Sequence, residues 1–362
     1  MKKINLEESK IAYHHIVFFI AALLTIIGTV FVFESSTAES YKTFGNQYHY
    51  LIQHLVGLGF GIIAFLIGLL LPTNIWLKTA KLWYVIGIIL LVLVFVPGIG
   101  LTLNGASRWI SLAGIRFQSV EFFKFALIIF YSNWLSQHQR FGPFIFLTAI
   151  PAALLILQPD LGSLLLLITI AAALFFIAGG SSKKLFGLAA LLIPLVIIAV
   201  ITSPYRLKRL TTFLNPESDP LGASFHIRQI TLALGRGGLI GQGIGESQQK
   251  YSYIPEASTD SIFAIVAEEI GFLGSVSIIL LYVLFFHYSY KLITLHEQPK
   301  SIQLLGFGII IWIGLQVVIN LSAIVGLIPL KGMPLPFISF GRSSLVMVLF
   351  ATGILIRIGK KS

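Results

Sequence analysis

"GSLLLLITIAAALFFIAGGSSKKLFGLAALLIPLVIIAVIT", residues 162–202, consists of two apolar runs joined by a short turn whose only charges are Lys183 and Lys184. A hydrocarbon core about 30 Å thick takes roughly twenty mostly apolar residues per helix. Each run therefore reads as one membrane crossing, and the turn as a connection on one face. Comparable runs fall at 14–33, 50–71, 80–97, 119–138, 142–158, 260–290, 301–328 and 341–358, making ten with 162–179 and 184–202. The expected fold class is an all-α polytopic membrane protein with about ten transmembrane helices. It forms one domain over residues 1–362, with a large extracellular loop, 203–258, between helices 7 and 8.

Composition agrees. The 362 residues are 56% hydrophobic and 11% charged, with a mean hydropathy of +0.91, far from a soluble domain of this length. Cysteine is absent, which excludes a disulfide framework and a thiolate metal site. The eight histidines show neither H-E-x-x-H nor another metal spacing, so no dedicated metal site is expected. The first run follows Lys2, Lys3 and Lys10, is span-length and lacks an A-x-A-like exit, so it reads as an uncleaved first helix.

An even number of spans puts both termini on one side. With both cytoplasmic, the short inner connections hold thirteen of the 25 Lys and Arg residues, as the positive-inside trend favours. The outer side then collects Arg108, Arg116, Arg206, Lys208, Arg209, Arg228, Arg236, Lys250, Lys331 and Arg342. That surplus calls for a cause, and an anionic group at the outer leaflet, such as a lipid phosphate or pyrophosphate, supplies one.

Of the fourteen acidic residues, three lie in "DSIFAIVAEEIGFLGS", residues 260–275. Ser258 or Thr259 can cap a helix, which puts Asp260 in its first turn. There it is either a helix-start acid or, partly buried below a basic loop, a general base. Glu268 and Glu269 lie about 12–14 Å further along the helix, where acids face a bundle interior and are often paired. Ala264, Ala267, Gly271 and Gly274 form a small-residue face that lets another helix approach.

Further stretches carry polar groups. Glu121 and Lys124, three apart, read as a neutralising pair on one helix face. Arg108 beside Trp109 is either an interfacial anchor or a bidentate grip on an anion. Asp160 in "QPDLGS" reads as a helix cap. "GLIPLKGMPLPFISFGRSS", residues 326–344, is broken backbone fit to wall a cavity. "GRGGLIGQGIGES", residues 235–247, is no Walker A loop and reads as a compact external loop, and 222–234 as a short interfacial helix.

"NGASRWI", "QPDLGS", "FLNPESDPLGASFHIRQITLALGRGGLIGQGIGES", "IPEASTDSIFAIVAEEIGFLGS" and "PLPFISFGRSS" occur in the order found in the SEDS family of bacterial cell-wall proteins, which contains FtsW, RodA and SpoVE. The chain resembles that family across residues 104–344, and "SQQK", "IPEAS" and Lys331-Gly332 look closer to FtsW than to RodA. The resemblance implies a glycosyltransferase that polymerises lipid II into peptidoglycan strands at the outer face of the cytoplasmic membrane, for cell division or elongation. It puts the family's essential aspartate on Asp260, as general base. Substrate-binding positions are then expected at Arg108, Trp109, Glu121, Lys124, Asp160, Lys250, Lys331 and Ser343. It implies a class B penicillin-binding protein as partner, with other divisome or elongasome membrane proteins, and no nucleic acid. A divalent cation, Mg²⁺ or Mn²⁺, bridging the pyrophosphate would need few protein ligands. The chain departs from the pattern at Ser258, Ser261 and Arg342, where His, Phe and Gly are usual. The alternatives are a lipid II flippase without transferase chemistry, an ion-coupled transporter using Glu121, Lys124, Glu268 and Glu269, and a scaffold for division proteins.

Overall fold

The computed structural model describes residues 6–103, 106–112, 115–215, 224–249, 254, 256–295, 297–330 and 332–360. In chain order come helices α1 (Leu6–Phe44), α2 (His49–Leu70), α3 (Thr73–Lys78) and α4 (Ala80–Leu93). Strands β1 (Gly100–Leu103), β2 (Ala106–Leu112) and β3 (Ile115–Gln118) follow. Then come α5 (Ser119–Gln137), α6 (Phe141–Leu157), α7 (Leu161–Ile177), α8 (Ser182–Ile201), α9 (Pro204–Leu214), α10 (Phe225–Gly237), α11 (Ile262–Thr294), α12 (Lys300–Ile324) and α13 (Arg342–Gly359). Each of the ten apolar runs lies on one helix. Among the described residues six helices are long and apolar enough to cross a membrane: α1 from Tyr13 onward, α2, α8, α11, α12 and α13. The apolar helices α4, α6 and α7 are shorter.

Burial ranks the helices. Fourteen of the nineteen residues of α5 are buried, which makes it the central post of the bundle. The α8 helix has no buried residue and lies at the periphery. The α2 and α13 helices approach closely where Gly57, Gly61, Gly68 and Gly353 leave no side chain between them; a Cβ on Gly353 would lie 2.2 Å from the Phe65 carbonyl oxygen.

The fold is not wholly helical. An antiparallel sheet in the order β1-β2-β3 precedes α5, with Leu103 paired to Ala106 and Leu112 to Ile115. Trp109 sits in β2 opposite Leu101 and Gln118. Each strand pair is joined by two residues, Asn104-Gly105 and Ala113-Gly114. Asn-Gly is a strong hairpin signal, which the long apolar runs on either side mask in the sequence.

The segment between α8 and α11 carries α9 and α10; α10 is a helix over most of the stretch, 222–234, where a short one was expected, while α9 was not foreseen. Helix α11 breaks at Gly271 (φ 68, ψ −169), a left-handed conformation that favours glycine. The main chain of 238–243 bonds across that break: Gln242 N to Glu268 O (3.0 Å), Gly243 N to Glu269 O (3.0 Å), Phe272 N to Gly238 O (2.9 Å) and Leu273 N to Leu239 O (3.0 Å). The small residues of α11 thus receive this glycine-rich strap, with Gly237 against Ala267 and Gly241 against Glu269 and Gly271.

Candidate active site

Asp260 closes a run of turns, 256–260, and precedes α11, whose N-cap is Ser261 without a side-chain cap bond. It is therefore not in the first helical turn as expected. The cap fails because the Thr259 hydroxyl bonds carboxylates instead of helix amides: Asp260 Oδ1 at 2.8 Å and Glu256 Oε2 at 2.9 Å. The main chain of Asp260 is held from below. Asn320 Nδ2 on α12 donates to the Asp260 carbonyl and to the Met333 carbonyl, both at 2.8 Å.

The carboxyl is partly buried, and burial pushes its pKa up from 3.8 to about 6. Thr259, the backbone and Arg209 oppose that rise, while Glu256 adds to it. A Cβ on Gly332 would come to 3.4 Å from Asp260 Oδ2, so glycine there keeps that oxygen approachable.

One turn earlier on α12, Gln316 extends the same face. Its Nε2 donates to the Pro334 carbonyl (3.1 Å), and its Oε1 accepts from Trp312 Nε1 (2.9 Å) and Lys124 Nζ (3.1 Å). Lys124 also pairs with Glu121 Oε1 at 2.8 Å, and both side chains are buried. The neutralising pair is thus present and is wired through Gln316 to the broken 333–340 segment. That segment's carbonyls are met by side chains: Asn320 at Met333, Gln316 at Pro334 and Tyr282 at Pro336. Irregular backbone at membrane depth requires such partners.

A second group lies beside the sheet. Asp160 Oδ1 caps α7 through Ser163 N (3.1 Å), while Oδ2 pairs with Arg108 Nε at 3.6 Å. Arg108 also donates to the Pro159 carbonyl (2.7 Å) and stays about one third exposed (31%). Buried Ser343 accepts from Gln118 N (3.1 Å), tying α13 to the end of β3. Neighbouring Arg342 donates to Gln53 on α2 (2.7 Å), with Gly57 making room for its side chain. Lys250 and Lys331 lie outside the described residues.

Glu268 has a structural task. Its carboxylate accepts from the Ser247 hydroxyl and from Gln248 N and Gln249 N (both 3.4 Å), with Arg236 Nη1 at 3.9 Å. It thereby anchors the loop that leads back to Asp260. His226 on α10 meets Ser261 at 2.8 Å, and burial, aided by Arg209, lowers its pKa to about 4. Gln316 and Asn320 were missed in the sequence. Their signal is two amides four residues apart on an apolar helix, hence on one face.

The family model for FtsW, RodA and SpoVE, described as "Cell cycle protein", matches residues 14–362. The chain is 36% identical to "Probable peptidoglycan glycosyltransferase FtsW" of Coxiella burnetii, covering 92% of this chain and 93% of that one. It is 35% identical to stage V sporulation protein E of Bacillus subtilis, covering 95% and 96%. Among solved structures it resembles a chain from a peptidoglycan synthase complex (TM-score 0.76, 27% identity, 95% and 96% covered). It also resembles the rod shape determining protein RodA of Thermus thermophilus (TM-score 0.70, 25% identity, 95% of each chain covered).

Proposed function

The chain belongs to the FtsW/RodA/SpoVE family and is a membrane-spanning peptidoglycan glycosyltransferase, and from that premise we propose that Asp260 is its general base and lipid II its substrate. The observation that carries the reading is Asp260 itself: a partly buried carboxyl raised to about 6, held by its main chain and approachable at Oδ2. A base poised near the working pH accepts a proton better than an ordinary carboxylate while staying mostly ionised at neutrality.

In this mechanism Asp260 takes the proton of the acceptor sugar's 4-hydroxyl. The oxygen attacks C1 of the donor with inversion, and undecaprenyl pyrophosphate leaves. Arg108, held by Pro159 and Asp160 yet part exposed, offers a guanidinium for charge growing on the leaving group. Lys250, Lys331 and Trp109 are proposed to contact substrate. Lys124 and Glu121 are proposed to shape the site through Gln316. A divalent cation, Mg²⁺ or Mn²⁺, is proposed to bridge the pyrophosphate, an arrangement that takes few protein ligands.

All ten apolar helices are proposed to cross the bacterial cytoplasmic membrane, with both termini inside and residues 203–258 outside. The proposed partner is a class B penicillin-binding protein, together with other divisome or elongasome membrane proteins. Resemblance to FtsW leans toward division.

The test is polymerisation of lipid II by the purified protein with its partner. Asp260→Asn is expected to abolish glycan strands while the protein stays folded. Polymerisation at the wild-type rate by that variant would overturn the general-base role. Lipid II transport surviving in the polymerisation-dead variant, with no strands from wild type, would favour the flippase.

A further inference from the structure

We propose that Thr259 and Glu256 form a relay that carries the acceptor's proton from Asp260 to solvent. The proposal rests on the reading of Asp260 as base and adds the route by which that base is reset.

A base that has taken a proton must lose it before the next bond is made. Asp260 is partly buried, and a lipid-linked substrate lying over it separates it further from water. Glu256, four residues earlier in the same turn, is exposed. Between the two carboxyls sits one hydroxyl, Thr259 Oγ1, at 2.8 Å from Asp260 Oδ1 and 2.9 Å from Glu256 Oε2. A threonine hydroxyl has one hydrogen and two acceptor lone pairs, so it can accept from one carboxyl while donating to the other.

The fold invests in this arrangement. Glu256 has φ 53, a left-handed conformation that costs a non-glycine residue about 1 kcal/mol or more. Thr259 N (3.1 Å) and Ser261 N (3.3 Å) both bond its carbonyl, which holds the turn closed. Among the described residues the other charges that face these carboxyls are Glu39 on α1, bonded by Tyr50 OH of α2 at 3.5 Å and facing Glu256, and Arg209 on α9, which faces Asp260 and His226.

The step balances. The acceptor O–H bond breaks as its oxygen bonds C1, the C1–phosphate bond breaks with its electron pair leaving on pyrophosphate, and the proton goes to Asp260. Asp260 then passes a proton to Thr259 Oγ as the Thr259 hydroxyl proton moves to Glu256 Oε2. Glu256 releases it to water. Asp260 is again a carboxylate, and one proton reaches solvent per glycosidic bond.

The test compares full-length wild type, Thr259→Val, Thr259→Ser, Glu256→Gln and Asp260→Asn, each with the partner transpeptidase, in lipid II polymerisation across pH. Thr259→Val is expected to lower kcat about tenfold or more with KM unchanged, and Thr259→Ser to restore most of it. Glu256→Gln, at an exposed position that leaves folding intact, is expected to lower kcat similarly and to be rescued by added imidazole, whereas Asp260→Asn is not. Removing the Glu256 charge should also move the acidic limb of the pH profile to lower pH. Wild-type kcat in both Thr259→Val and Glu256→Gln, with Asp260→Asn inactive, overturns the relay and leaves the base in place. A fall in Thr259→Val that serine does not restore also overturns it. An active Asp260→Asn removes the base reading itself.

Discussion

Asp260→Asn should make the protein more stable at neutral pH while destroying its activity. Burial raises the Asp260 pKa from 3.8 to about 6, so the fold favours the protonated carboxyl over the ion. Below pH 3.8 the group is protonated in both folded and unfolded chains and costs nothing. Between 3.8 and 6 the unfolded chain ionises first, stability falls as pH rises, and above 6 the full cost is present. At 1.36 kcal/mol per tenfold step the full cost is ~3 kcal/mol, and solvent on the exposed side of the carboxyl trims it to about 1–3 kcal/mol. Asparagine keeps the shape and still accepts from Thr259, but it never ionises. Thermal unfolding in detergent, followed by tryptophan fluorescence at pH 7.5 and pH 4.5, should show the variant ahead of wild type at the higher pH and by only about a third as much at the lower. Polymerisation should fall by about 10²–10⁴, the usual contribution of a general base. Wild-type kcat/KM should decline about tenfold per pH unit below an apparent pKa near 6. A variant whose stability gain does not change with pH would refute the burial argument, and one that still makes strands would refute the role.

Lys124→Met leaves the Glu121 carboxylate buried without its cation, at a cost of about 3–5 kcal/mol; unfolding midpoints should show most of it recovered in Lys124→Met/Glu121→Gln. Asn320→Leu removes both carbonyl clamps, on Asp260 and Met333, and should cost about 1–3 kcal/mol and lower kcat more than it raises KM in the polymerisation assay. Gly271→Ala places a Cβ 2.2 Å from Gly241 N at φ 68, so the strap must leave its seat. Hydrogen exchange should then speed at Gln242, Gly243, Phe272 and Leu273, and unchanged protection there would contradict the role given to the break.

The ten apolar runs were legible as helices because long, nearly uncharged stretches stand out from the loops, and each run lies on one helix, six of them long and apolar enough among the described residues to cross a bilayer. The Glu121–Lys124 pair was legible from spacing alone, since residues three apart share a helix face. The sheet was hidden because strands of four to seven residues do not register against twenty-residue runs. Asp260 was assigned to a first turn because Ser258 and Thr259 are common caps, but Thr259 turned its hydroxyl to two nearby carboxylates. The break at Gly271 had no local signal; only the strap folding back from 238–243 makes a left-handed residue there useful. Asp160 was read as a cap, and the structure shows that cap together with an ion pair to Arg108.

The base proposed at Asp260 must keep its place while its charge changes, and its main chain is held by an amide that does not bond the carboxyl. Glutamine has one accepting and one donating end, and which faces where follows from its partners. At Gln316 the accepting end is claimed by two donors, Lys124 Nζ and Trp312 Nε1, so the amide nitrogen must face the Pro334 carbonyl. Four residues on, Asn320 bonds Met333 and Asp260 from the same helix face. The buried pair on α5 thus fixes the orientation of an α12 amide, that amide fixes the broken segment, and the neighbouring amide joins that segment to the main chain of the base. Among the described residues the side-chain donor on the Asp260 carboxylate is Thr259, which bonds Oδ1, while Gly332 leaves Oδ2 approachable. The buried Glu121–Lys124 pair therefore has a structural task beyond mutual neutralisation: through Gln316 it orders the broken segment beside Asp260, the base proposed above.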